Sequence, residues 1–254
     1  MPLRAVVETF KSNAESVYEL IDFDRVVLEF AISGLHRLAA QLEEQRSNNA
    51  ARSVDNFVQA LGNVRANDSL RAQYETIYNQ CVVLLVSYFG AAVHTVFVQA
   101  VNEALESGGP TPVITQEVKV TWRDLRRDDV PLGSVLADLI VAQRDISFQD
   151  MQSISRAFKE HLGVDLARDE DTNDIILGQA CRHAIAHAGR TADARMMRQL
   201  KGAIPRRLKL AIIQDEAITF APQEVRALGA TMTKYLENLV ESVERGSARG
   251  GPAV

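Results

Sequence analysis

The sequence predicts an all-α protein with a small β-hairpin before its last helix. Helix-forming residues dominate the 254 positions, and only seven prolines and fourteen glycines interrupt them. Apolar residues recur at helical spacing over most of the chain. By contrast, "LKLAIIQDEAITF" at 208–220 has two short apolar runs around a polar turn, which is typical of a hairpin. "VITQEVKVTW" at 113–122 alternates weakly and fits either a short strand or an extended arm.

Seven segments carry helical signals. The segment near 70–105 is apolar all round, which predicts the central core helix. Ser147 and Asp150 predict a capped start of a later helix and Gly163 its end, and Pro222 begins the last helix. The predicted helices cover about 13–47 with a break near 22–24, 53–65, 70–105, 131–144, 150–162, 173–189 and 222–244.

The predicted organisation is one main domain with two flanking parts. Residues 1–66 form an N-terminal helical extension, and 67–245 form a helical domain with its own core. Residues 246–254 are rich in glycine and small residues, which predicts a disordered tail.

The bulk composition narrows the class of protein. The chain is 46% apolar and 24% charged, an ordinary globular balance, and its net charge of −5 argues against a generic polyanion binder. Cys81 and Cys181 form no CxxC pair, so we expect reduced thiols in a cytoplasmic protein. The N-terminus has no apolar leader. The apolar run at 81–101 contains Ser87 and His94, which favours a buried core helix over a membrane span.

The most informative stretch is "ACRHAIAHAGR" at 180–190, which places two histidines and two arginines among alanines. At 100° per residue, one side of this helix forms a polar strip of Gln179, Arg182, His183, His187 and Arg190. The strip contains no acidic residue that would neutralise its arginines. The opposite side is small and apolar and is predicted to pack on another helix: Leu177, Ala180, Cys181, Ala184, Ile185 and Ala188.

Positive charge is concentrated around this helix. Residues 182–209 contain eight lysines and arginines against the single Asp193, a local charge of +7 that leaves −12 for the rest of the net −5. A basic run alone is usually a solvated face, but here it surrounds two histidines, which favours an anionic ligand such as phosphate. Histidine can take and return a proton near neutral pH, and arginine can stabilise charge that develops on a phosphate.

The residues "RHAIAH", Arg182 to His187, have the form R-x4-H and resemble the signature of the HEPN superfamily. This all-helical family includes many prokaryotic ribonuclease toxins and RNA-cleaving defence proteins. The context is similar, with a long apolar helix early in the domain, "FQDMQSISRAFKEHLGVDL" before the motif and a long terminal helix. The similarity covers roughly residues 70 to 245.

The resemblance implies an HEPN-like helical bundle that acts as a metal-independent endoribonuclease, without a cofactor, of toxin–antitoxin or antiviral-defence type. It would leave 2′,3′-cyclic phosphate and 5′-hydroxyl ends. In the family, two motif helices face each other across a two-fold axis, so a homodimer supplies each residue twice. Carried over, Arg182 would stabilise the transition state, His187 would be the general acid or base, and His183 would orient the scissile phosphate.

The expected partners are the RNA substrate, a second copy of the chain and an antitoxin or sensor protein, with no membrane involved. The sequence departs from one large subgroup, which has a tyrosine two residues after the histidine where this chain has Gly189. Regulation by modification of that tyrosine therefore does not carry over. We expect the RNA to be bound by the strip and the basic run after it: Gln179, Arg190, Arg195, Arg198, Lys201, Arg206 and Arg207.

Other interpretations of the motif remain open. His183 and His187 are four residues apart and could share a metal ion, but the neighbouring arginines would repel a cation, and His161, Asp165 and Asp169 are unmarked as third ligands. We therefore expect no metal. The main alternative is a non-catalytic helical module that binds RNA, a nucleotide or a partner protein through the same strip.

Overall fold

The computed structural model describes residues 2–45, 48–67, 74–108, 111–121, 132–209 and 211–249. These residues are mostly helical and contain no β-strand, which confirms the all-α class. The helices are α1 (Leu3–Glu44), α2 (Asn48–Ala66), α3 (Tyr74–Ser107), a short 3-10 helix (Pro112–Thr115), α4 (Leu132–Gln143), α5 (Met151–Leu162), α6 (Glu170–His187), α7 (Ala194–Lys201) and α8 (Pro222–Arg249).

The core is built around α3, which contacts α1, α4, α5, α6 and α8. Its side chains Leu85, Phe89 and Phe97 are fully buried, as the all-round apolar sequence predicts. Two glycines let other helices approach closely. A Cβ on Gly178 of α6 would lie 3.1 Å from Leu228 of α8, and one on Gly229 would collide with the Tyr18 hydroxyl of α1.

The helix α1 belongs partly to this core and partly to a projection from it. Its N-terminal half buries Phe10, Val17 and Ile21 in the same core cluster as α3, so the core does not divide at the predicted boundary of residue 66. From Asp22 onward α1 instead packs mainly on α2, and we call residues 22–66 the arm. The predicted break near 22–24 is absent, because α1 is one continuous helix.

The predicted hairpin at 208–220 is not formed. Its second half instead bonds to the loop after α6, where Ile218 N donates to Arg190 O over 2.8 Å and Ala192 N donates to Glu216 O over 3.0 Å. This gives one isolated bridge, between Thr191 and Ala217. The two apolar runs that suggested a hairpin instead bury Ile218 and other side chains of the segment against the core.

The ends of the helices follow their capping residues. Asp150 is itself the N-cap of α5 and accepts from Ser153 N over 2.9 Å, so the predicted capping box with Ser147 as the cap is not formed, whereas Gly163 ends the helix at φ +69° as predicted. The helix α6 begins three residues earlier than predicted because Asp169 caps it, with Thr172 N donating over 2.8 Å. The sequence reading missed α7.

Two predictions concern chain segments near the limits of the described residues. The predicted tail at 246–254 is helical up to Arg249, and its last five residues lie outside the described part. The first four residues of the predicted 70–105 helix lie outside it as well. The helix α3 is long and apolar enough to cross a membrane, but half of its most apolar window is buried inside the protein, and core helices have the same properties.

Candidate functional site

The apolar side of α6 is buried and the polar strip reaches solvent at its C-terminal end, as the spacing of 100° per residue predicts. Leu177, Cys181 and Ala184 are buried against the core, with no more than 1% of each residue exposed. Arg182 is half-buried, and His187 is exposed at the last residue of the helix. The R-x4-H residues therefore reach solvent at the C-terminal end of α6.

His183 and His187 lie side by side, with ring centroids 5.0 Å apart. The guanidinium Nη1 of Arg195, on α7, lies 3.2 Å from His183 Nε2. Because arginine can only donate, Nε2 must accept, which places the proton of a neutral His183 on Nδ1. Partial burial and the positive charge of Arg195, together with His187, lower the pKa of His183 below its usual range.

Arg182 is half-buried and carries an unsatisfied donor. Its Nε is buried without a hydrogen-bond partner among the described residues. In the same part of the chain, no carboxylate forms an ion pair with Arg182, His183 or His187. An uncompensated guanidinium beside two imidazoles is suited to binding phosphate.

The turn after α6 adds a third cation to the same end. Gly189 and Arg190 both have positive φ, +61° and +66°, and Arg190 N donates to Ala184 O over 3.2 Å to close the helix. The exposed Arg190 side chain donates to Thr76 Oγ1 over 3.1 Å, which fixes it near the start of α3. Arg190 therefore still lies near the polar strip, although α6 ends before it at His187.

The prediction for Gln179 is wrong, because this side chain is buried with only 7% of the residue exposed. Its Oε1 accepts from Met151 N over 3.0 Å and so holds the start of α5 against α6. The helical spacing correctly predicts that Gln179 lies on the same side of α6 as Arg182. However, α5 covers that part of the polar strip.

Arg207, a predicted RNA-binding residue, is exposed but also forms ion pairs within the chain, so its role toward RNA stays a prediction. Arg207 Nε donates to Asp174 Oδ2 over 3.0 Å, and Nη2 pairs with Asp171. The Asp174 carboxylate has 1% of its side chain exposed and also accepts from Arg207 N and Leu208 N over 2.9 and 3.0 Å. The charge of Arg207 is therefore used to hold the 205–208 loop on α6.

Arg206 has a similar structural role, and its contact with RNA likewise stays a prediction. Its Nε and Nη2 donate to Lys209 O over 3.2 and 3.1 Å, and Nη1 donates to Ala203 O over 3.3 Å. These bonds to backbone carbonyls brace the loop before residue 210. A count of charges along the sequence cannot distinguish such an arginine from one that faces a ligand.

The other predicted RNA-binding residues lie on α7. Arg195, Arg198 and Lys201 are all exposed, and Asp193 caps the helix by accepting from Met196 N over 2.7 Å. Because α7 also supplies the contact to His183, it extends the basic surface away from the end of α6.

A cavity of about 570 Å³ beside α7 was not found from the sequence. Arg198 lines it together with three further cations, Arg156, Lys159 and Arg168, while Asp150 and Glu160 also contribute to its wall. Tyr235 lines it too, and its buried hydroxyl has no hydrogen-bond partner in the described ranges. Arg156 and Lys159 are three residues apart, a helical spacing that could have suggested a shared face.

The metal and thiol interpretations find no support in this geometry. No group of three or more His, Cys, Asp or Glu among the described residues could hold a metal ion. Two of the third-ligand candidates are engaged elsewhere, since Asp165 pairs with Lys159 over 3.3 Å and Asp169 caps α6, and the other, His161, is buried. Burial raises the pKa of Cys181 to about 12, so its thiol stays protonated.

Comparisons of the chain with models of known protein families, with curated proteins and with solved structures give no match. The HEPN resemblance stays a prediction from the motif, and the function is argued from the site itself.

Proposed function

We propose that the chain is a metal-independent endoribonuclease of the HEPN type. The observation that carries the proposal is the cluster of Arg182, His183 and His187 at one helix end, with Arg195 beside it and no carboxylate paired to the motif residues in the described part of the chain. This is a site for a phosphate rather than for a cation or an acyl group.

The chemistry uses the nucleophile that RNA carries itself. The ribose 2′-oxygen attacks the adjacent phosphorus while its proton passes to a neutral imidazole. The bond from phosphorus to O5′ breaks, and a protonated imidazole donates its proton to that oxygen. The products are a 2′,3′-cyclic phosphate and a 5′-hydroxyl, with no water consumed. Arg182 stabilises the added negative charge on the phosphorane.

The two histidines have different roles. His187 is exposed and is the acid or base that exchanges protons with RNA. His183 accepts from Arg195, so its contact with a phosphate uses the Nδ1 proton, and it positions the guanidinium of Arg195 as well. His183 therefore orients the phosphate and does not itself exchange a proton with the RNA.

One chain offers one exposed motif imidazole, whereas the reaction needs a base and an acid. Two copies facing each other supply His187 twice, which supports the homodimer. Arg195, Arg198 and Lys201 guide the RNA across α7 toward the cavity, where flanking phosphates meet Arg156, Lys159 and Arg168. The setting is a cytoplasmic toxin or defence effector, restrained by an antitoxin or sensor protein.

The test uses purified chain, total RNA and EDTA. New 5′-hydroxyl ends that form in the presence of chelator, and that disappear in the His187→Ala variant, are the expected result. The control is Glu8→Gln, which removes an exposed charge on α1 outside both the motif and the cavity and leaves cleavage intact. Wild-type cleavage by His187→Ala contradicts the assignment, and cleavage that stops with EDTA indicates a metal enzyme instead.

The cavity favours a second candidate function, a module that binds RNA or a nucleotide without cutting it. Its volume of about 570 Å³ lies within the usual range of small-ligand sites, and cations line it independently of the motif. RNA that stays intact but binds with measurable affinity, lost on Arg198→Glu, supports this function.

A further inference from the structure

The arm and the turn of α1 just before it expose an apolar face that nothing in the described chain covers. We call this face, which runs from Leu20 to Leu38, the stripe. Its side chains are among the most exposed large apolar groups of the described residues, and the face opposite, with Ile32 and Ala39, is buried. The exposed fractions are Leu20 40%, Phe23 63%, Val26 63%, Val27 49%, Phe30 73% and Leu38 43%.

The spacing along the stripe is that of a coiled-coil face. Leu20, Phe23, Val27, Phe30 and Gly34 follow one another at intervals of three, four, three and four residues. A Cβ added to Gly34 would meet nothing within 4 Å, so the helix has an open notch there. A face with this period is completed by another helix that inserts side chains between its own.

The stripe is complementary to itself when reversed, and we propose that it pairs with the same helix of a second copy. In an antiparallel pair with its axis midway between Val27 and Phe30, Val27 of each copy meets Phe30 of the other. Phe23 then fills the notch at Gly34 of the second copy. A two-fold axis requires this reciprocity, in which residue i meets j and j meets i.

The area available is enough for a stable dimer. A fully exposed Phe, Leu or Val residue presents roughly 150–200 Å². The exposed fractions therefore amount to roughly 600 Å² of apolar surface in each copy, the upper end of what the largest apolar patch of a monomer usually presents to water. With its polar edges, such a face approaches the roughly 800 Å² per partner of a standard interface.

Charges along the edges of the stripe permit the pairing. Near the axis the flanking residues are Asp24, Val26, Ala31 and Ser33, and Asp24 of one copy comes opposite Ser33 of the other, so no like charges meet there. Farther out, Arg37 of one copy comes opposite Leu20 of the other and next to its Glu19. Opposite charges thus meet at both ends of the contact.

The arm leaves the bundle at the end that carries the motif. At its base, Asp22 pairs with Arg226 in the first turns of α8, and the Tyr18 hydroxyl donates to Arg226 O over 3.3 Å. The segment just before α8 bonds to Arg190, directly after α6. Paired arms would therefore hold two motif ends near one axis, a consequence that rests on the proposed function, whereas the dimer itself does not.

The mass of the full chain in solution tests the pairing. Sedimentation equilibrium of the wild type should give a dimer at micromolar concentration, and Phe30→Glu should raise the dissociation constant at least about 100-fold, because it buries two carboxylates at the axis. The matched control is Phe57→Glu on α2, since Phe57 is 66% exposed but lies off the stripe, and this variant should stay dimeric. A monomeric wild type, or a dimer that survives Phe30→Glu, overturns the proposal.

Cross-linking tests the antiparallel direction. The double variant Val27→Cys/Phe30→Cys should form an intermolecular disulfide on mild oxidation, while neither single variant should, because in the antiparallel pair neither position meets its own copy. The native cysteines are buried. Cross-linking by a single variant, or none by the double variant, overturns the antiparallel pairing. Cleavage assays on Phe30→Glu separate the two proposals. Loss of cleavage together with the dimer supports the link to the site, and full cleavage by the monomer overturns that link while the nuclease remains.

Discussion

The two ends of α6 use charged residues in opposite ways. Near its start, Asp171 and Asp174 are buried and pair with Arg207, and Lys234 donates to Asp171 over 2.7 Å. At its end, Arg182 and the two histidines form no ion pair with a carboxylate within the described ranges. The two ends of one helix therefore differ in whether their charges are paired, and the proposed function rests on the unpaired set.

The same division runs through the basic residues that follow. Arg206 and Arg207 donate to backbone carbonyls and buried carboxylates, whereas Arg195, Arg198 and Lys201 remain exposed. The two sets look alike in the sequence, since both are closely spaced basic residues. Only the groups that each side chain contacts in the folded chain distinguish an arginine with a structural role from one that is free to bind RNA.

The largest expected effect is the loss of RNA cleavage when a residue at the C-terminal end of α6 is substituted. Arg182→Ala should lower the RNA cleavage rate at least about 100-fold, because it removes the cation that stabilises the phosphorane. The free energy of unfolding should change by less than about 1 kcal/mol, because no partner in the chain is left unpaired. Initial rates on labelled RNA and urea unfolding measure both. A loss of stability that matches the loss of activity would place Arg182 with the structural residues.

The converse change should affect stability alone. Asp174→Ala should lower the free energy of unfolding by about 3 kcal/mol, because it leaves two backbone N–H groups and Arg207 without their acceptor. Urea unfolding measures this. Combined with Arg207→Met, the loss should be smaller than the sum of the two single losses, since the pair is already broken. Strict additivity would show that the ion pair does not couple the loop to α6.

The contact between Arg195 and His183 predicts a pH effect. Burial and the Arg195 charge lower the pKa of His183 below its ordinary 6.5, so the folded chain binds fewer protons than the unfolded chain near that pH. The resulting stability is present above 6.5 and declines as the pH falls through the lowered pKa. In Arg195→Gln the pKa should move back toward 6.5, as measured by NMR titration of the imidazole. An unchanged titration would mean that the contact is not formed in solution.

The smallest effect concerns the basic surface. Arg198→Gln should weaken RNA binding by roughly threefold to tenfold and reduce the slope of log affinity against log salt by about 1, because one phosphate contact is lost. Arg245→Gln is the control, since Arg245 lies near the end of α8 and donates to Glu241 O on its own helix. Equal effects of the two substitutions would indicate attraction by net charge alone.

The features that the sequence predicted well depend on local periodicity and capping. The apolar side of α6 and the stop of α5 at Gly163 each follow from a few neighbouring residues. Features that the sequence did not predict depend on distant contacts. Gln179 is covered by α5, because it accepts from Met151 N, 28 positions away in sequence, and Arg207 is paired with Asp174, 33 positions away.

The sequence by itself determined the helical class, the core helix α3, and the placement of Arg182, His183 and His187 on one side of a helix, because a period of 3.6 residues fixes which side chains share a face. Only the tertiary structure decided which arginines stay uncompensated, where the basic cavity lies, and that α1 keeps one apolar face uncovered. These depend on which segments meet after folding, and a charge or an apolar face becomes free or satisfied only when its neighbours in space are known.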